Sequence, residues 1–210
     1  MKKIIFLLIA ISIGFSACNF TDNKNAVVIK SENIIQIELN DSIRNSLIRI
    51  GNSISRQTQS ILKKELGKTI KSGGFEHAIG FCNLRATNIT DSISMVEQIM
   101  IKRVAIKNRN ADFTMTKEEI KFFEGATKMW EAEGVVKPAL SVNNDNQPVY
   151  YQSIIMNKAC LNCHGSLESD IKPKVAERIK ELYPDDKAVN FKVTDLRGMW
   201  VITFPEYSVK

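Results

Sequence analysis

The order of patterns along the chain predicts an α+β fold built on an antiparallel sheet. Three observations carry this. Long helical periodicities come first, between about residues 41 and 89. Short β-rich runs mixed with helices follow, and the chain closes on apolar runs around the turn sequence Asp195-Leu196-Arg197-Gly198. The composition is that of an ordinary globular protein, 44% hydrophobic and 25% charged.

The first 17 residues read as an export signal. Lys2-Lys3 precede the apolar run Ile4 to Ile11, and Gly14-Phe15-Ser16-Ala17 supply small residues before Cys18. The run is too short for a permanent membrane span. Phe15-Ser16-Ala17-Cys18 also has the form of a bacterial lipobox, in which the Cys becomes the first mature residue and carries lipid. The competing reading is an ordinary signal peptide with an incidental Cys18. A diacylglycerol with a further acyl chain gives the multiple attachment that stable anchoring needs. Asn19 to Asn33 is polar and reads as a spacer behind the lipid. The expected organisation is therefore a signal peptide at 1–17, anchor and spacer at 18–40, and one folded domain at 41–210. No other stretch is apolar enough to span a membrane. The expected location is the bacterial cell envelope, lipid-anchored and facing the periplasm. Export argues against nucleic acid as partner, despite the net charge of +6.

From Asp41 to Lys71, Ile43, Leu47, Ile50, Ile54, Ile61, Leu62 and Leu66 recur at helical steps, and Ser72-Gly73-Gly74 ends that helix. A second helix starts near Phe75 and runs through Ala78, Ile79, Cys82, Ala86 and Ile89. Gln98 to Ile106 reads as a strand. Thr116 to Glu131 reads as a helix whose Thr116 and Glu119 form a capping box. Pro148 to Met156 is β-rich, with one of Tyr150 and Tyr151 expected to pack against the group that the segment after it binds and the other to face out. Lys174 to Leu182 is a short helix before Pro184. Two closing strands, Ala188 to Thr194 and Gly198 to Phe204, are expected around a hairpin turn.

The segment that carries chemistry is Cys160-Leu161-Asn162-Cys163-His164-Gly165, a C-x-x-C-H haem-attachment signature. Two thiols add across the two porphyrin vinyls, and the adjoining His164 reaches the iron as proximal ligand. One covalent haem c is the expected cofactor. The competing readings are a structural disulfide, a thioredoxin-like dithiol, and a zinc site completed by Cys82 and His77. The dithiol wants an aromatic before the first Cys, where Ala159 stands. The sixth iron position has three candidates: Cys82, His77 and a Met. Cys82 shares a helix face with Ala78, Ile79, Ala86 and Ile89. His77 lies about 140° around that helix, so both cannot face one iron. Cys82 is left without a disulfide partner once Cys18, Cys160 and Cys163 are assigned. On pattern alone a buried Cys is usually a small hydrophobe. Arg85, three residues on, and Arg109, in a loop beside Asn110, are candidates to pair with haem propionates; otherwise each is a solvated charge.

Ala78-Ile79 with Cys82, Lys107-Asn108-Arg109-Asn110, the C-x-x-C-H segment, Tyr183-Pro184-Asp185-Asp186 and Asp195-Leu196-Arg197-Gly198-Met199-Trp200 together resemble a family of single-haem c-type domains long classed as of unknown function. The resemblance spans roughly residues 43–204. It implies a PAS-like sheet with helices, one covalent haem, and an axial pair of His164 and Cys82. It also implies domains that occur alone or as input modules of receptors and kinases. Ala111 stands where the family pattern has Pro, Asn190-Phe191 where it has Gly-Tyr, and Thr194 where a Gly commonly precedes the Asp. The functional expectation is a redox or small-gas sensing module acting through an unidentified partner protein. The alternative is a simple electron-transfer cytochrome. A peroxidase would need a distal acid–base group that only His77 could supply as a histidine, so an enzyme is not the expected reading.

Overall fold

The computed structural model describes residues 34–210; the signal-peptide and Cys18 expectations lie outside the described residues. The elements are β1 (Ile35–Ile37), α1 (Asp41–Leu84), α2 (Ala86–Glu97), β2 (Met100–Val104), α3 (Lys117–Glu133), β3 (Ala139–Val142), β4 (Pro148–Ile155), α4 (Leu161–His164), α5 (Pro173–Leu182), β5 (Leu196–Thr203) and β6 (Tyr207–Val209). β2, β5, β4 and β3 form one antiparallel sheet in that order, and β1 pairs with β6 in parallel. The α+β expectation holds. β1 falls inside the 18–40 segment read as anchor and spacer, so paired structure begins before Asp41.

Asn40 starts α1, its Oδ1 accepting from Ile43 N at 3.1 Å. The break expected at Ser72-Gly73-Gly74 is present, as a kink that separates two helical stretches of α1. Gly74 takes φ 75° and ψ −174°, a conformation open to glycine, and the helix continues beyond it. The expected second helix is shorter than its pattern. Arg85, at φ −120°, breaks it, so Ala86 and Ile89 belong to α2. The capping box at Thr116 and Glu119 is present in full, and Gly134 closes α3 in the left-handed region.

α1 lies on one face of the sheet. Its Leu47, Ile54 and Leu62 pack with Tyr150, Trp200, Ile202 and Phe204. Gly51 lets the helix backbone rest against the Tyr150 ring, where a Cβ would overlap ring carbons. The other face packs Val104, Val149, Tyr151, Met199 and Val201 against Met115, Phe122 and Phe123. β5 is therefore buried on both sides and reads as an unbroken apolar run, Met199 to Ile202, instead of an alternating one. Trp200 is 1% exposed, and truncating such a residue to Ala costs about 3–5 kcal/mol. Tyr150 and Tyr151 correct the expectation that one faces out. Tyr150 is buried under α1, and Tyr151 stacks on Phe122 with centroids 4.2 Å apart.

The strand expected at Ala188 to Thr194 does not form. Val189, Phe191 and Val193 alternate as a strand would, but the backbone is committed elsewhere. Asn190 N donates to Gly165 O at 2.8 Å and Phe191 N to His164 O at 2.9 Å. Residues 157–194 are instead an excursion between β4 and β5. Met156 N to Asp195 O and Thr194 N to Met156 O, both 2.9 Å, join its two ends. Asp195 to Gly198 is accordingly the entry to β5, not a hairpin turn.

Two turns of this excursion carry non-glycine residues in the left-handed region, Asn190 at φ 60° and Thr194 at φ 75°. Both are among the positions where the chain departs from the pattern of the family that it resembles. Asn tolerates this region, whereas a β-branched residue is strained there. Thr194→Gly is expected to stabilise the fold by about 1 kcal/mol, the relief of strain outweighing glycine's greater unfolded-state entropy. A urea unfolding curve measures this, and a lower midpoint would count against it.

Candidate functional site

The site is assembled where the 157–194 excursion meets the end of α1. Asn157 Oδ1 accepts from Ala159 N at 2.9 Å and from Cys160 N at 3.3 Å, which turns the chain into the C-x-x-C-H segment. The Cys160 thiol donates to the same oxygen at 3.3 Å. Cys160 and Cys163 are both free thiols, joined in no disulfide. Gly165 follows because Asp170 packs against it. A Cβ there would overlap the Asp170 carboxylate, whose Oδ2 accepts from Ser166 N at 2.8 Å.

His164 Nδ1 lies 2.8 Å from Ala188 O. A carbonyl only accepts, so Nδ1 carries the proton and Nε2 keeps its lone pair. Burial holds the His164 pKa well below the usual histidine range, helped by the Arg109 and Arg197 charges. The ring is therefore neutral and available as a metal ligand. Phe191 stands edge-on to it at 6.4 Å.

Cys82 reaches the same region from α1. Ile79, one turn earlier, packs in one cluster with Cys163, Ile171, Val175, Ile179 and Tyr183. The Cys82 and Cys163 thiols are close enough to act on each other electrostatically. Burial pushes the Cys82 thiol up, and Arg103 and Arg109 partly oppose this. Burial likewise pushes Cys163 up to about 11. Met156 packs beside Cys160 and Leu161.

Three guanidiniums surround these groups. Arg109 bridges Asp186 at 3.1 Å, with both side chains nearly buried. Arg103 stands opposite Trp200 in the sheet register, its guanidinium 5.4 Å from the ring centroid. Trp200 Nε1 in turn donates to Gln59 of α1 at 3.2 Å. Arg197 donates to Lys107 O at 2.9 Å and lies 5.2 Å from the Phe191 centroid. Burial lowers Arg197 to about 10, with Arg109 and Arg103 adding repulsion. Arg197, Cys82 and His164 are half-buried and Arg103 is exposed, and the Arg103 charge acts on both Cys82 and His164. Among the described residues neither Arg103 nor Arg197 forms an ion pair. The site is therefore rich in positive charge, which Asp186 partly offsets at Arg197.

The structure thus brings together Cys82, Cys160, Cys163, His164 and Arg109. Arg85 is placed differently. It sits exposed at the break between α1 and α2, and its charge acts on Glu65. His77 is exposed beside Gly73. Among the described residues no cluster of three or more His, Cys, Asp or Glu could hold a metal ion, so the proposed zinc set is not assembled. Sequence reasoning missed Arg103 and Arg197, because an arginine in a strand carries no local sign that the sheet turns it toward a thiol.

Residues 19–205 match the model of the Tll0287-like family, and the chain belongs to that family. It is also similar to a solved structure described as the crystal structure of the cyanobacterial heme-protein Tll0287. That similarity is 23% identity over 59% of this chain and 71% of that chain, with a TM-score of 0.49. No curated protein matches the chain.

Proposed function

We propose that the chain is a lipid-anchored, periplasm-facing monohaem c-type cytochrome that works as a redox- or small-gas-responsive module. The observation that carries this reading is the meeting of Cys82 with Cys160, Cys163 and a neutral His164 whose Nδ1–H is bound to Ala188 O. The donor set fits one haem c. Cys160 and Cys163 would form the thioethers, and His164 Nε2 and Cys82 Sγ would be the residues that hold the iron. Arg103 and Arg197 supply cations for the two propionates, with Arg109 already engaged by Asp186. Membership of the Tll0287-like family supports the same class.

Bound there, haem supplies a one-electron ferric/ferrous couple. The chain's residues decide what that couple does. Arg103 and Arg109 favour the Cys82 thiolate against the cost of burying it. A thiolate suits ferric iron better than ferrous, so Cys82 would be the residue that takes up a proton when the bound haem is reduced. Such a residue would give the site a two-state switch open to CO or NO. Absorption and EPR spectra of the purified oxidised and reduced protein test the reading. A low-spin thiolate signature that is lost on reduction is expected. A protein without haem rejects the reading. Unchanged ligation in both states makes the chain a plain electron carrier, the second reading. The tight packing of Ala78 and Ile79 around α1, both 1% exposed, would favour that outcome by fixing Cys82 in place. A peroxidase lacks support, since His77 is exposed on the outer face of α1.

The anchor is a separate part of the proposal. Among the described residues no helix is long and apolar enough to cross a membrane. Membrane attachment is assigned to lipid on Cys18 because the apolar run Ile4 to Ile11 leads into Phe15-Ser16-Ala17-Cys18. Cys18→Ala is expected to abolish labelling by a fatty-acid analogue and to release the protein from membranes. Labelling that survives the substitution would sink the assignment.

A further inference from the structure

Two residues that the haem reading leaves off the iron, Arg109 and Asp186, converge on His164. Arg109 Nη2 donates to Asp186 Oδ2 at 3.1 Å, to Cys163 O at 2.6 Å and to Ala188 O at 3.2 Å. Its Nε donates to Asp186 Oδ1 at 3.2 Å. Asp186 Oδ1 also accepts from Ala188 N at 2.8 Å. Ala188 O is the acceptor of His164 Nδ1–H. One peptide unit is thus gripped from its N–H by Asp186 and from its C=O by Arg109, and the imidazole hangs from the same oxygen. The Arg109 and Asp186 side chains are only 10% and 7% exposed, so solvent screens this pair little.

A carbonyl that already accepts from a guanidinium is a poorer acceptor for a second N–H. The less Nδ1–H is drawn toward the carbonyl, the less imidazolate character the ring has, and the weaker a donor Nε2 is. Arg109 therefore restrains His164 as a ligand. Asp186 moderates Arg109 by sharing its hydrogens and balancing its charge.

We propose that Arg109 and Asp186 are paired positioning residues that set the donor strength of His164 through the shared Ala188 carbonyl, and so set the reduction potential of the bound iron. The proposal rests on the haem reading above. It also gives Arg109 a role other than the propionate contact that its loop position suggested.

The signs distinguish this from a purely structural clamp. Arg109→Gln returns Ala188 O to His164 and removes a cation, both of which favour ferric iron. Its midpoint potential is expected to fall. Asp186→Asn keeps an oxygen for Ala188 N but frees Arg109 to bind Ala188 O without a counter-charge. Its potential is expected to rise. In the ferrous proteins the iron–histidine stretching frequency is expected to rise in Arg109→Gln and to fall in Asp186→Asn. The test uses the full chain, matured with haem in a host that assembles c-type cytochromes. Potentials that shift in the same direction in both variants describe a loosened loop and overturn the proposal. Opposite potential shifts with an unmoved stretching frequency describe charge acting through space, and they also overturn it. If Arg109→Gln fails to load haem, Asp186→Asn decides alone, and a fall or no shift in its potential and frequency is fatal. An unmodified chain without covalent haem rejects the haem reading itself, which keeps the two failures distinct.

Discussion

Replacing Cys160 and Cys163 together by Ser is expected to remove all haem-dependent peroxidase staining from the protein band on a denaturing gel. Each single substitution should leave at most one thioether and a weaker band. The effect is all-or-none because a thioether survives denaturation, whereas axial bonds and packing do not. The two thiols are free and sit in one turn at the start of α4, with Cys160 fixed by Asn157. The fold does not depend on them for cross-linking. The double variant should therefore keep its far-ultraviolet circular dichroism while losing the stain. Staining that persists, or haem that acid acetone extracts from the unmodified protein, would mean that haem is not attached through these residues.

The second large effect is expected at Cys82. Cys82→Ser should remove the low-spin thiolate signal from the ferric EPR spectrum and raise the potential by on the order of 100 mV, within the roughly 0.8 V that axial ligands span. The direction follows from charge: a thiolate stabilises ferric iron and a hydroxyl does not. Cys82→Met should give spectra of the ordinary His/Met kind if the thioether reaches the iron. His77→Ala is the control. Its side chain is exposed and displaced around α1 from Cys82, so the spectrum should hardly change. If His77→Ala instead turns the iron high-spin while Cys82→Ser does nothing, the site is bis-histidine. The ligand switch then loses its physical basis.

Much of the framework was legible because it depends on residues close together in the chain. The kink at Gly74, the capping box at Thr116 and Glu119, strand β4 and helix α5 all follow from local turn chemistry and periodicity. Where local pattern misled, a distant partner had claimed the backbone or the side chain. Ala188 to Thr194 alternates like a strand, yet its amides bond to the carbonyls of His164 and Gly165 and of Met156. One of Tyr150 and Tyr151 is expected from the pattern to face out, yet α1 covers the first and Phe122 of α3 the second. β1 and β6 are three residues each and pair across nearly the whole domain, so neither has a local signal of its own.

The same division holds at the candidate site. The sequence by itself determined the spacing of Cys160, Cys163 and His164, the lone thiol on an apolar helix face, and the glycine after His164, because each is a short-range pattern with one dominant chemical reading. Only the tertiary structure decided which cations surround them. Arg85, three residues from Cys82, is exposed at the break between α1 and α2. Arg103, twenty-one residues from Cys82, is brought beside it by the register that sets β2 against Trp200 under α1. Arg109 is held by an aspartate seventy-seven residues away. Electrostatic neighbourhood depends on distance in space, which sheet register and helix packing set and which sequence separation does not encode.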